Sequence, residues 1–206
     1  SIDTMEQEVL DYWTMRTPSF SQIRENELMG DIGKGWRFAL RSTVPINRYR
    51  KILDVGTGTG FFSVLLSRDG YRMTGVDITP SMIEEAKKEA GKFKSKARFH
   101  VMDAMNLAFK DETFDAVISR NLTWTLPNVE KAYREWFRVI RPGGRLINYD
   151  ANYANAIRRG DAVRTESGDK IAYGHDGVTK EMEKISNGIA LSLDIGKEDR
   201  PAWDRE

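Results

Sequence analysis

The chain has 206 residues, with 32 lysines and arginines against 31 aspartates and glutamates, which is room for one domain and at most a cap, without a charge bias toward nucleic acid or an anionic membrane. It has no cysteine and only two histidines, His100 and His175, which excludes disulfide frameworks, thiol nucleophiles and thiolate metal sites and leaves too few ligands for a histidine-built metal centre. No apolar run nears the roughly 18 residues of a membrane span, and the opening SIDTMEQEVLDYW lacks the basic-then-apolar order of a secretion signal, so a cytoplasmic protein is expected.

The first fifty residues are patterned as helix. Val9, Leu10, Trp13 and Met15, then Ile23, Leu28 and Met29, recur near helical spacing between charges. Thr17-Pro18-Ser19 is expected to split this stretch in two, because proline disfavours helix for the residue before it. After Pro45 the period changes, and residues 51–55, KILDV, read as a buried strand running into glycine. A helix over 61–68 ends at Asp69-Gly70, and a second strand covers 71–77. Thr79-Pro80-Ser81 opens a helix to about Gly91, with proline just inside its start. Strands over 98–102 and 114–119 precede a helix from Pro127-Asn128 to about Ile140, with Ala132, Trp136, Phe137 and Ile140 on one side. Pro142-Gly143-Gly144 is expected to stop it before a fifth strand over 145–149. Strands separated by helices or crossover lengths predict an α/β fold, a Rossmann-like, mostly parallel sheet with helices on both faces. After Asp150 the pattern weakens to one helix through Val178, Met182, Ile185 and Ile189 and a strand over 189–193.

The strongest chemical feature is residues 52–60, ILDVGTGTG. A strand that turns into a helix through glycines brings backbone amides close to a ligand, at the end of the sheet where ligands bind in open α/β folds. The spacing is G-x-G-x-G, with Phe61 where a dinucleotide fingerprint has its third glycine. Asp54 repels a pyrophosphate but suits a ligand carrying an ammonium, which favours S-adenosylmethionine over NAD; a cap on the turn is its other reading. Asp77, 21 residues after Gly56, stands where an acid accepts from ribose hydroxyls, the alternative being a helix cap that Thr79 and Ser81 already offer. Asp103 suits an adenine amine, with Ile78 and Met102 as apolar neighbours of the ring, or is simply a loop aspartate.

The runs ILDVGTGTGFFS, GVDITPSMIEEAKK, VMDAMNLAF, FDAVISRNLTWTLPN and RPGGRLINYD resemble the class I S-adenosylmethionine-dependent methyltransferases. Within that class they are similar to the type 11 group related to ubiquinone and menaquinone biosynthesis. The resemblance covers about residues 45–150. It implies Gly56, Gly58 and Gly60 under the methionine part, Asp77 on the ribose, Asp103 with Ala104 at the adenine, and Arg120 lining the cleft. Asp54, Thr57, Ile78 and Met82 complete the expected cofactor set. Residues 1–44, with Tyr12, Trp13, Arg16 and Phe20, resemble the helical lid of this group, leaving 45–206 as the cofactor-binding domain. That fold normally adds two strands after the fifth, so the C-terminal strands are expected to be absent or incomplete.

Methyl transfer from a sulfonium is an in-line displacement that needs alignment more than a fixed catalytic residue, so no catalytic side chain is assigned. Tyr12, Trp124 and Asp150 are the candidates for contact with substrate, core packing being the better reading of Trp124. His100 reads as a structural histidine inside the third strand. Lys87, Lys88, Lys92, Lys94 and Lys96 read as a solvated helix face balanced by Glu84, Glu85 and Glu89. The expected activity is methyl transfer to a small molecule, with S-adenosylhomocysteine as product and no nucleic-acid partner. A cofactor-binding regulatory or scaffold protein and an NAD-dependent oxidoreductase are the competing readings.

Overall fold

The computed structural model of the protein describes residues 2–149, with side chains from residue 7 onward except that of Trp124. The expectations for Asp150 and the segments beyond it lie outside the described residues. Strands β1 (Lys51–Val55), β2 (Arg72–Asp77), β3 (Arg98–Val101), β4 (Phe114–Arg120) and β5 (Ile140–Tyr149) form a parallel sheet in the order β3-β2-β1-β4-β5. The chain winds outward in one direction from β1 and then in the other from β4. The carboxyl ends of these two strands therefore flank an open crevice, the position at which such sheets bind ligands.

Around the sheet lie helices α1 (Ile2–Met29), α2 (Asp31–Thr43), α3 (Phe61–Ser67), α4 (Pro80–Lys92) and α5 (Val129–Val139). Alternate residues of a strand point to opposite faces, and β1 is apolar on both. Ile52 joins Phe62, Leu66, Ile83 and Ile118 in one core cluster, while Leu53 and Val55 join Val117, Tyr133 and Trp136 in the other. Full burial of each such side chain is worth about 1.5–3 kcal/mol, which is why β1 reads as an unbroken apolar run before its glycines. The boundaries of α3, β2, α4, β3 and β4 agree with the sequence reading to within two residues.

Four expectations are corrected. First, α1 runs unbroken through Pro18. A proline inside a helix costs about 3 kcal/mol, but here both flanks are tied down. Thr17 Oγ1 bonds to the Trp13 carbonyl (2.9 Å) and lies 2.8 Å from Ser81 Oγ on α4. The chain turns instead at Gly30, and Gly33 lets α2 start against the end of α1. A Cβ at Gly33 would lie 2.7 Å from the carbonyl oxygens of Glu27 and Leu28.

Second, the inward face of α1 is not the apolar stripe read from sequence. Met15 and Met29 are exposed, whereas Tyr12, Arg16, Arg24 and Leu28 are buried. With Phe20 they follow a four-residue spacing, a helix face that contains two arginines. Third, Pro142-Gly143-Gly144 does not precede β5 but lies within it. Phe114 pairs with Ile140, Ala116 pairs with Arg145, and the register shifts between them. Gly144 makes this passage possible, since a Cβ there would sit 2.5 Å from the Asp115 carbonyl oxygen. Phe137 correspondingly points outward from α5 and is exposed. Fourth, His100 is exposed on β3 and is not a buried structural histidine.

Lys87 and Lys88 do pair with Glu84 and Glu85 on the outer face of α4. Lys92 instead reaches across to Glu25 on α1, and Glu89 is buried. No helix among the described residues is long and apolar enough to cross a membrane.

Candidate cofactor site

The turn after β1 is built for close approach. Gly56, Gly58 and Gly60 have φ of +67°, +56° and +85°, a region that favours glycine. The Thr57 N–H donates to the Val76 carbonyl (2.9 Å), and the Gly60 N–H to the Thr57 carbonyl (2.9 Å). A Cβ on Gly56 would meet the Leu122 methyl groups at 2.9 Å, and one on Gly58 would meet Phe20 Cε1 at 3.0 Å. Gly60 serves packing, because a Cβ there would meet Phe99 at 3.0 Å and Ala86 at 3.2 Å.

Two carboxylates fix this turn, Asp54 buried and Asp77 half-buried. Asp54 Oδ2 accepts from Thr57 Oγ1 (2.7 Å) and Ser63 Oγ (2.8 Å). Burial pushes the Asp54 carboxyl up to about 6, against the pull of those two hydroxyls. Gly75 on β2 makes room for the arrangement, since a Cβ there would lie 2.6 Å from Thr57 Oγ1. The capping reading of Asp54 is therefore realised, and the same residue also lines the cleft. Asp77 Oδ2 accepts from the Gly58 N–H (3.0 Å) and Oδ1 from the Thr79 N–H (2.9 Å). Its burial likewise raises the carboxyl above its ordinary value. The sequence argument that Thr79 and Ser81 already cap α4 does not hold. Thr79 makes no side-chain capping bond, and the Ser81 hydroxyl is paired with Thr17.

Between this turn and α1 lies a small cleft, lined by Phe20, Arg24, Asp54, Gly56, Thr57, Phe61, Phe62 and Arg120. Arg120 reaches this cleft from the end of β4. Its guanidinium lies 4.7 Å from the Trp36 ring centroid, and that of Arg24 lies 4.6 Å from Phe20, within cation–π range. Both arginines approach Glu27 Oε2, at 2.5 Å from Arg24 and 3.6 Å from Arg120. Arg24 and Glu27 were not singled out from sequence, where charged residues in mid-helix read as a solvated face.

The remaining candidates divide. Ile78 keeps an exposed apolar side chain beside Asp77, as an adenine neighbour requires. Asp103 Oδ1 accepts from the Met105 N–H (2.8 Å), which is the loop-aspartate arrangement. Ala104 is buried, and its carbonyl accepts from Trp136 Nε1 (2.9 Å). Met82 is 1% exposed and Tyr12 is 2% exposed, so both sit in the packing. What α1 contributes to the cleft is Phe20 and Arg24. Trp124 falls in the short 3-10 turn Thr123–Thr125.

A glycine cradle at the switch point of a parallel sheet, with a half-buried carboxylate closing the next strand, fits a cofactor that carries a ribose and an amino-acid end. Together with the matches that follow, it defines a class I, S-adenosylmethionine-dependent methyltransferase domain. Residues 53–148 match the family described as a methyltransferase domain. Demethylmenaquinone methyltransferase of Deinococcus radiodurans is 33% identical over 118 residues, covering 56% of this chain and 49% of that protein. Norajmaline N-methyltransferase of Rauvolfia serpentina is 26% identical over 204 residues, 98% of this chain and 65% of that protein. The solved structure of a Pyrococcus horikoshii OT3 protein is similar with a TM-score of 0.56 at 30% identity, covering 65% of each chain. The chain spans about half the length of the Deinococcus relative.

Proposed function

We propose that the protein transfers a methyl group from S-adenosylmethionine to a small-molecule acceptor and releases S-adenosylhomocysteine. The observation that carries this reading is the glycine turn at the β1–β4 crevice, fixed from beneath by Asp54 and from the side by Asp77. The relatives named above as methyltransferases, whose names give demethylmenaquinone and norajmaline as what they act on, support a small acceptor.

In this reading Asp77 takes the ribose hydroxyls, Ile78 and the Asp103–Ala104 loop border the adenine, and Gly56–Gly58 pass beneath the methionine part. Bound S-adenosylmethionine supplies a methyl on a positively charged sulfur, an electrophile that needs no further activation. The chain's tasks are then to align the acceptor and to exclude water, and orientation alone accounts for about 7–11 kcal/mol of a barrier of this kind. Residues 1–44 serve as the lid. The inner face of α1 sets Phe20 over Gly58, and its attachment to α4 runs through polar pairs, Thr17 with Ser81, Ser21 with Glu85 and Glu25 with Lys92. Such contacts exchange for water at little net cost, which suits an element that must open and close. A proton acceptor is needed only if the acceptor atom is protonated before attack.

The test is methyl transfer from labelled S-adenosylmethionine to a panel holding a naphthoquinol and an aromatic amine. Label appearing on an acceptor, with S-adenosylhomocysteine in equal amount, is the expected result. S-adenosylhomocysteine formed at the same rate with and without acceptors would contradict it.

A further inference from the structure

Resting on that reading, we propose that Arg24 and Arg120 form a seat for a ligand carboxylate, and that Glu27 fills this seat as an internal stand-in until a ligand displaces it. Two guanidinium groups from different elements, α1 and β4, converge on one oxygen, Glu27 Oε2. All three side chains are largely withdrawn from solvent, at 8% exposure for Arg24, 17% for Glu27 and 12% for Arg120. Opposite charges at this depth attract far more strongly than at the surface.

The arginines are held independently of Glu27. Arg24 stacks near Phe20 and Phe61, and Arg120 near Trp36, Phe61 and Phe62. A planar guanidinium backed by aromatic faces keeps its place and its fork for an incoming carboxylate. Both arginines line the cleft, and Glu27 is not among its lining residues. The other acid of the cleft, Asp54, already has Oδ2 engaged by Thr57 and Ser63. A ligand carboxylate entering beside Gly56 thus meets two cations whose shared partner is one side chain of the protein itself. That competition lowers apparent affinity by the fraction of time the seat is filled from within. The carboxylate has two possible sources, the amino-acid end of the cofactor or an acidic acceptor.

The experiment compares wild type with Glu27→Gln by calorimetric titration of S-adenosylhomocysteine and of 5′-methylthioadenosine, which keeps the nucleoside and lacks the carboxylate. Tightening of S-adenosylhomocysteine by about tenfold, with methylthioadenosine unchanged, is expected if the cofactor is the source. If instead only 4-hydroxybenzoate binds more tightly, to protein loaded with S-adenosylhomocysteine, the seat belongs to the acceptor. Wild-type binding of both nucleosides with no gain from Glu27→Gln for any probe, or a loss specific to S-adenosylhomocysteine, overturns the stand-in alone. Wild-type binding of neither nucleoside overturns the proposed function and the stand-in with it. Should Glu27→Gln fail to fold, Glu27→Asp shortens the reach to Arg120 and is held to the same directional outcomes.

Discussion

Replacing Asp77 with alanine is expected to weaken S-adenosylhomocysteine binding by about a hundredfold, read by calorimetric titration. A hydrogen bond to a charged group contributes about 1.5–3 kcal/mol, and each 1.4 kcal/mol is a factor of ten, so losing a carboxylate proposed to take the ribose hydroxyls reaches this size. Asp77 also accepts from the Gly58 and Thr79 amides, and the substitution leaves both donors without that partner, loosening the turn on which the cofactor lies. Asp77→Asn keeps one acceptor oxygen and most of the shape, and its loss should be smaller, about tenfold. The two variants together separate ribose contact from turn geometry. Asp77→Ala protein that binds like wild type would show that the ribose lies elsewhere.

Trp136→Ala is expected to be the most damaging single truncation for stability. Trp136 is fully buried, packs edge-on to Tyr133 with ring centroids 5.1 Å apart, and donates its indole N–H to the Ala104 carbonyl at 2.9 Å. Truncating a buried tryptophan to alanine costs about 3–5 kcal/mol. For a protein of this size that lowers the melting temperature by roughly 10 °C. Trp136→Phe retains much of the packing and forfeits the hydrogen bond, so about 1–2 kcal/mol is expected. Because that bond holds the loop carrying Asp103 and Ala104, the phenylalanine variant also weakens nucleoside binding modestly. Chemical denaturation gives both values, and a loss under 1 kcal/mol for Trp136→Ala would contradict the packing described.

The parallel sheet and the glycine turn were legible because their signals are local. A β-branched apolar run, a glycine triplet and an acid at the end of the next strand each obey short-range rules of backbone geometry. What was illegible depended on distant partners. Pro18 argued for a break, yet α1 is secured on both sides of it by contacts with residues more than sixty positions away, such as Thr17 with Ser81. Arg24 and Glu27 looked solvated, and only the arrival of β4 makes them part of the cleft. The resemblance sets Met82 among the cofactor contacts and Tyr12 in the lid, whereas the fold turns both into the packing. Local pattern thus located the floor of the site, and tertiary contact decided its walls.

The most direct measurement is calorimetric titration of S-adenosylmethionine and, in a separate experiment, NADH into the purified protein. Saturable binding of S-adenosylmethionine with no heat from NADH is the predicted result, since Asp54 beneath the glycine turn favours a ligand ammonium and disfavours a pyrophosphate. Binding of NADH without S-adenosylmethionine, or of neither, would contradict the assignment of this cleft.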